Sequence, residues 1–380
     1  MAGLLQRLWS GGANKPSQAQ PAIEQLWIFP VKSCRGVQVQ EATVLPSGLQ
    51  YDREFVICDA DTHRFLTART IPKMLLIETA IDVDKKQLAL TIPADATDPN
   101  SKRTTHFVSL ERPTRDQDDA DNHINDVSIW HDNGLDGFIV GSRELTEDLS
   151  AFMGRRVILV QKGFDLRMAG PEGYAQDLPQ ARFEYEDHPS VSWADEYPVL
   201  LVSRASLQDL DHRVKYDDQV AKEFASKFDV ERWRKSGKGI EINRFRGNVV
   251  VNAPAGVLQP WEEDSWAQVE ITPGDDPSQG KLDADRKADF LIAQRCARCP
   301  VPSMDPDTAA RDPVVPDMFM KKDRFVSFKS PRKLCFGVSV CPQNSIAKIR
   351  VGDKVTVVRK FEDRRANGTP VRPEDLSYEQ

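Results

Sequence analysis

The sequence contains no apolar run near the roughly 20 residues that a membrane-spanning helix requires. Its longest, such as Tyr197–Val202 and the valines around Val250, cover only a handful of positions, so no membrane span is expected. Cysteine is scarce: the 380 residues hold six, Cys34, Cys58, Cys296, Cys299, Cys335 and Cys341. That excludes a disulfide-built scaffold, suits a reducing intracellular compartment and leaves the thiols as candidate ligands or nucleophiles. Positive charge is not in excess either. With 51 Lys and Arg against 58 Asp and Glu the net charge is −7, and bulk electrostatics exclude nucleic acid as a partner. Neither a haem or iron–sulfur cysteine pattern nor a glycine-rich dinucleotide fingerprint occurs, so electrons for any redox chemistry are expected from outside the chain. A secretory signal is not expected, because the short apolar stretch near the N-terminus is broken by Arg7. No internal repeat is visible.

What is there is an ordinary globular composition, 40% hydrophobic and 29% charged, in a chain long enough for two or three domains or one elaborate one. Residues 1–22 carry Arg7 and Lys15, with no acid before Glu24. They read either as a weak mitochondrial presequence or as a flexible polar tail, which leaves mitochondrial and cytoplasmic locations both open. From Ile23 the pattern is β. "IEQLWIFPVKS" and "VQVQEATVL" alternate, "REFVICD" and "HRFLTA" read as two strands around the polar turn Asp59–Thr62, and "LLIETAIDVDKKQLALTI" repeats strand, turn, strand. The charged stretch Glu111–Asp126 reads as a solvated loop.

"SRELTEDLSAFMG" places Leu145, Leu149, Phe152 and Met153 at helical spacing and ends on Gly154, a C-cap signal. Residues 163–192, punctuated by proline, read as a connector. Beyond it "YPVLLVS" predicts a strand that feeds a helix starting at Ser206, three residues before Asp209, in a capping-box-like pattern. "EINRFRGNVVVN", the residues leading to Cys296, and "KLCFGVSVC" predict further strands, and "AKIRVGDKVTVVRK" predicts a terminal hairpin turning at "VGD". The expected organisation is two halves, 23–162 and 193–360, followed by a polar tail over 361–380.

Two groups of residues carry chemistry. Arg295-Cys296-Ala297-Arg298-Cys299-Pro300 is a C-x-x-C motif whose second thiol follows Arg298, and a nearby guanidinium favours the metal-ligating thiolate. The motif alone also allows half of a zinc site completed by Cys335 and Cys341, although five residues separate that pair, or a thioredoxin-like redox pair, although no helix follows it. Cys34, Cys58, Cys335 and Cys341 are expected to be buried, inert thiols. The second group is cationic: Lys32 beside Ser33, then Arg53, Arg69, Arg244 and Arg246, each next to an apolar strand. Each alone reads as the partner of a structural carboxylate such as Asp52 or Glu54. Together they point to an anionic ligand, since Arg grips phosphate bidentately and Lys as a point charge.

The segments "IFPVKSCRGVQVQEATVLPSGLQYDREFVI", "FLTARTIPKMLLI", "YPVLLVSRASLQDLDHRV", "RFRGNVVV", "RCARCPVPSMDPDTA" and "IRVGDKVTVV" resemble, in order from about Ile23 to Val358, the MOSC superfamily and most of all its amidoxime-reducing-component branch. The resemblance implies a β-dominated α+β fold, with an N-terminal MOSC β-barrel domain followed by a MOSC β-barrel domain with peripheral helices. It implies a molybdenum cofactor, Mo-molybdopterin, in the cleft between them. Cys299 would be the thiolate ligand, Lys32, Ser33, Arg53, Arg246 and Asn248 would hold the cofactor, and Arg298 would neutralise charge near the metal. Asp305 and Asp307 of "DPDT" are candidate catalytic proton relays, the alternative being a backbone cap in an Asp-Pro turn.

The implied activity is reduction of small N-hydroxylated compounds, with electrons from a cytochrome b5-type haem protein and its NADH-dependent reductase. Two other functions stay open. A MOSC domain also ends molybdenum cofactor sulfurase, so the chain could carry cofactor or sulfur without turnover, or it could be a non-catalytic binding module. Pyridoxal phosphate is not expected, because the β-rich region already begins by Ile23. Gly247 stands where the similar proteins usually have Pro and Ala309 where they usually have Gly, and Glu111–Asp126 and Pro273–Lys287 read as insertions.

Overall fold

The computed structural model describes residues 19–113, 122–170, 190–226, 237–274, 286–327, 332–343 and 346–360, with isolated positions between 227 and 236. Most of the 1–22 segment, of the 163–192 connector and of Pro273–Lys287, half of Glu111–Asp126, and the whole 361–380 tail lie outside the described residues, while the end of Glu111–Asp126 enters the strand His123–Ile129. The centre is a closed barrel of seven strands. In order around it they are Val249–Asn252, Val199–Ser203, Cys335–Pro342, Ala288–Ala297, Trp266–Thr272, Lys354–Lys360 and Ala22–Ile28, which pairs back to the first. All neighbours are antiparallel except Val199–Ser203 with Val249–Asn252.

Period-two alternation selects the barrel interior. Val199 and Leu201, Val249 and Val251, Val269 and Ile271, Phe290 and Ile292, and Val338 and Val340 meet Ile23, Leu26 and Trp266 in one core. The intervening Val202 and Val250 pack instead beneath the helix Arg204–Tyr216, through Leu207, Leu210 and Val214. The rest of the first half is a four-stranded antiparallel sheet, in the order Phe55–Asp59, Val157–Lys162, Asp132–Val140 and His123–Ile129, with a three-stranded sheet of Glu78–Asp82, Gln87–Pro93 and Arg103–Ser109. The helix Arg143–Met153 buries the four apolar residues its spacing selects. Ser142 Oγ caps it by accepting from Leu145 N at 3.2 Å, and it stops at Gly154, whose φ of 71° suits glycine. This helix shares a core with Val301 and Met304, and Cys299 packs against the same cluster. Apolar contacts of the first half therefore hold the C-x-x-C loop of the second. The fold is β-dominated α+β and barrel-based, as the sequence predicted, and among the described residues no helix is long and apolar enough to cross a membrane.

Several local expectations change. "HRFLTA" makes only single bridges at Arg64 and Phe65, because the Asp59 carboxylate turns the chain by accepting from the Asp61 and Thr62 amides. "VQVQEATVL" divides at Gln40 into Val37–Val39 and Glu41–Leu45, which join different sheets. The start of "EINRFRGNVVVN" is a 3-10 turn, Ile242–Phe245. The Arg204–Tyr216 helix begins earlier than expected: Ser203 is its cap, accepting from Ser206 N at 3.4 Å, while Ser206 is buried. "AKIRVGDKVTVVRK" is not a hairpin, since Ala347–Arg350 pairs with Glu41–Leu45 and Lys354–Lys360 with Trp266–Thr272. Buried Asp353 redirects the chain between them by accepting from Arg350 N at 2.7 Å while pairing with Arg286 at 2.8 Å.

Candidate functional site

A cavity of about 540 Å³ opens where the two halves meet. Val31 bridges to Phe55, which sets Lys32 and Ser33 beside the turn that carries Arg53. The Ile242–Phe245 turn ends in Arg246, and the strand Ala288–Ala297 delivers Cys296 and then Cys299 at its exit. Ser33, Arg53 and Arg246 have φ of 69°, 51° and 55°, a region that costs a non-glycine residue about 1–2 kcal/mol. Three such residues on one cavity are backbone strain of the kind that gathers at functional sites. Gly247 follows Arg246 so closely against Val202 that a Cβ would lie 2.6 Å from Val202 Cγ2. Packing in this chain accounts for that departure.

The cations of the wall are fixed. Lys32, 5% exposed, donates to Trp193 O at 2.7 Å and to the Asp195 carboxylate, and burial pulls its pKa from 10.5 to about 8 although Asp195 works to raise it. Asp195 also accepts from Arg69 Nη2 at 2.8 Å and Trp130 Nε1 at 3.1 Å. Desolvation of this carboxyl acts the other way, yet the charges of Lys32 and Arg69 hold it well below the usual carboxylate range. Arg53 pairs with Asp52 and donates to Asn248 Oδ1 and Arg246 O, each at 3.2 Å. Arg246 Nη1 donates to Cys34 O at 2.7 Å. Both guanidiniums lie over the Phe29 ring, 4.4 and 4.3 Å from its centroid. Burial, with the like charge of Arg53, brings Arg246 from 12.5 to about 10, so it stays cationic at neutral pH.

Asn248 lines the cavity, but its amide is already used. Oδ1 accepts from Leu200 N at 3.1 Å and from Arg53, and Nδ2 donates to Trp27 O at 3.1 Å, so its part is to fix Arg53. Arg298 meets the first thiol of its motif: Nη1 lies 3.1 Å from Cys296 Sγ and Nη2 donates to Phe245 O at 2.7 Å. Its charge reaches Cys299 as well, and its buried Nε has no hydrogen-bond partner among the described residues. Cys296 and Cys299 are half-buried and line the cavity, whereas Cys34, Cys58, Cys335 and Cys341 are buried and burial pushes each thiol up to about 12.

Asp305 and Asp307 do not line the cavity. Asp305 Oδ1 accepts from Asp307 N at 2.9 Å and Thr308 N at 3.0 Å, its Oδ2 pairs with Arg244 at 2.9 Å, and Asp307 faces Arg35 at 3.1 Å. The Asp305 carboxylate folds the turn and anchors Arg244, while Asp307 reaches Arg35, so the structure brings neither these two carboxylates nor Arg244 to the cavity lining. Sequence reasoning missed Asp195, which sits in "SWADEYP" with no motif to mark it. Among the described residues no three His, Cys, Asp or Glu gather to hold a metal ion, and Cys335 and Cys341 lie inside a barrel strand, so the zinc set is incomplete. A metal here needs donors that arrive with it. A soft thiol in a cationic wall with an orphaned guanidinium nitrogen fits a metal carried by an anionic, sulfur-rich ligand.

A seven-stranded barrel whose C-x-x-C motif opens on a cationic cavity shared with an N-terminal β-rich unit defines the class. The chain belongs to the MOSC superfamily: residues 20–136 match the MOSC N-terminal beta barrel domain and residues 188–356 the MOSC domain. It is similar to mitochondrial amidoxime-reducing component 1 of Homo sapiens, 26% identical over 358 residues that cover 92% of this chain and 86% of that protein. The Mus musculus protein of the same name is 25% identical over 350 residues, covering 88% and 81%. Molybdenum cofactor sulfurase of Aspergillus oryzae is 22% identical over 307 residues, covering 76% of this chain but 34% of that protein.

Proposed function

We propose that the chain is a molybdenum-cofactor-dependent oxidoreductase that reduces small N-hydroxylated compounds. The observation that carries this reading is the meeting of Cys299 with Lys32, Ser33, Arg53, Arg246 and Arg298 on one cavity, and similarity to proteins named amidoxime-reducing components supports it. When bound, Mo-molybdopterin would supply the two-electron change that takes oxygen from an N–O bond. Cys299 would hold the metal through its thiolate, and its packing against the first-half core shields one side from water. Lys32, Arg53 and Arg246 would bind the pterin phosphate, with the Ser33 hydroxyl beside them and Arg69, which shares Asp195 with Lys32, on the same wall. Phe29 and Asn248 keep the two guanidiniums in place, and Arg298 would set a positive charge beside the motif and the anionic ligand. A cytochrome b5-type haem protein with its NADH-dependent reductase is the proposed electron source.

A carrier of cofactor or sulfur without turnover is the second reading, favoured by the similarity to molybdenum cofactor sulfurase. Turnover separates the two. Molybdenum-loaded protein supplied with a reduced chemical donor is expected to reduce benzamidoxime. Failure across several N-hydroxylated substrates at full molybdenum content would leave the carrier reading.

A further inference from the structure

Asp195 is an anion set into a cationic wall. Lys32 Nζ and Trp130 Nε1 bond its Oδ1, and Arg69 Nη2 bonds its Oδ2, while the Arg69 guanidinium lies 4.1 Å from the Trp130 ring centroid. Its charge also reaches Arg246 and Arg298. The backbone beneath it is clamped, since buried Arg167 donates to Ala194 O at 2.5 Å and Asp195 O at 3.0 Å, and Gly170 N donates to Glu196 O at 2.5 Å. The carboxylate itself is 45% exposed and lines the cavity. Rotation of the side chain would leave the clamped loop in place.

We propose that Asp195 is a specificity-determining residue, a tethered carboxylate that stands in for the ligand's phosphate on Lys32 and Arg69 and yields only to a phosphate dianion. This rests on the cofactor reading above. A monoanion offers these cations no more charge than Asp195 already does, and it must also give up translational freedom that the tethered group has lost already. A dianion doubles the attraction and offers three oxygens to the guanidiniums.

The test uses the full chain made without cofactor and titrated at low salt and pH 7.5 with inorganic phosphate and, separately, acetate. Binding is measured by calorimetry, and the Trp130 indole N–H resonance, assigned with Trp130→Phe, reports release of Asp195. In the wild type, phosphate should move that resonance and acetate should not. Asp195→Asn should bind phosphate at least about tenfold more tightly and should gain acetate binding. Three results would overturn the proposal: no tighter phosphate binding by Asp195→Asn, phosphate binding that leaves the wild-type Trp130 signal in place, or no phosphate binding by either protein. The Trp130 measurement decides on the wild type alone if the variant does not fold. Because the cofactor-free chain is measured, the cofactor reading is judged separately, by the molybdenum and pterin content of loaded protein.

Discussion

Glu263 is fully buried in the 3-10 turn Glu262–Ser265, and both its carboxyl oxygens face Ser206 Oγ, at 2.7 and 2.8 Å, beneath the first turn of the Arg204–Tyr216 helix. Trp261 N donates to the same hydroxyl at 2.7 Å, and the neighbouring Asp264 pairs with Arg324 at 2.7 Å. Burial first, then the charge of Asp264, pushes the Glu263 carboxyl from 4.5 up to about 7. A carboxyl raised in the folded state costs stability as soon as the unfolded chain can ionise. The cost begins near pH 4.5, grows by about 1.4 kcal/mol per pH unit and levels off near pH 7 at about 3 kcal/mol. Glu263→Gln keeps the shape and the bond to Ser206 and removes the titration. In urea unfolding measured from pH 4 to pH 8, the variant should match the wild type at the acid end and exceed it by about 3 kcal/mol at the alkaline end. All other titrating groups are common to both proteins. A difference that is constant across the range, or that grows toward acid, would refute the reasoning.

Lys162 and Asp136 form a buried pair at 2.7 Å, each side chain 4% exposed; Lys162→Met strands the carboxylate and should cost about 3–5 kcal/mol in denaturant unfolding, and a near-neutral result would mean that Asp136 is held by the Phe164 and Asp165 amides alone. Ala309 has a φ of 57°, so Ala309→Gly should raise stability by about 1 kcal/mol, and a loss would show that its methyl packing outweighs the strain. Lys32, with a pKa near 8, is protonated below that pH and neutral above it. Phosphate binding by the cofactor-free chain should therefore weaken from pH 8 upward, and Lys32→Arg should remove the decline.

Strands and helices were legible where a local pattern decides them. "YPVLLVS" and "KLCFGVSVC" are short apolar runs that the barrel buries, and the spacing of Leu145, Leu149 and Phe152 admits only one buried helix face. Partners were not legible, because alternation marks a strand without naming its neighbour: Ala347–Arg350 crosses to Glu41–Leu45, where Lys348 and Arg350 pair with Glu41, and the buried Asp353–Arg286 pair turns the chain beside it. In the site, Lys32, Ser33, Arg53, Arg246 and Cys299 could be read from motifs, and the structure gathers them on one cavity. Asp195 and the internal use of Asn248 depend on groups distant in sequence. The contact of Arg298 with Cys296 was not legible either, while its charge also reaches Cys299.

The central claim is that Cys299 anchors a molybdenum cofactor in this cavity. The most direct measurement is elemental analysis for molybdenum and zinc, with fluorescence of the oxidised pterin, on protein from a cofactor-competent host beside its Cys299→Ser and Cys296→Ser variants. Near-stoichiometric molybdenum with pterin is expected in the wild type and in Cys296→Ser, with molybdenum lost from Cys299→Ser. Zinc without pterin in the wild type, or molybdenum retained by Cys299→Ser and lost from Cys296→Ser, would contradict it.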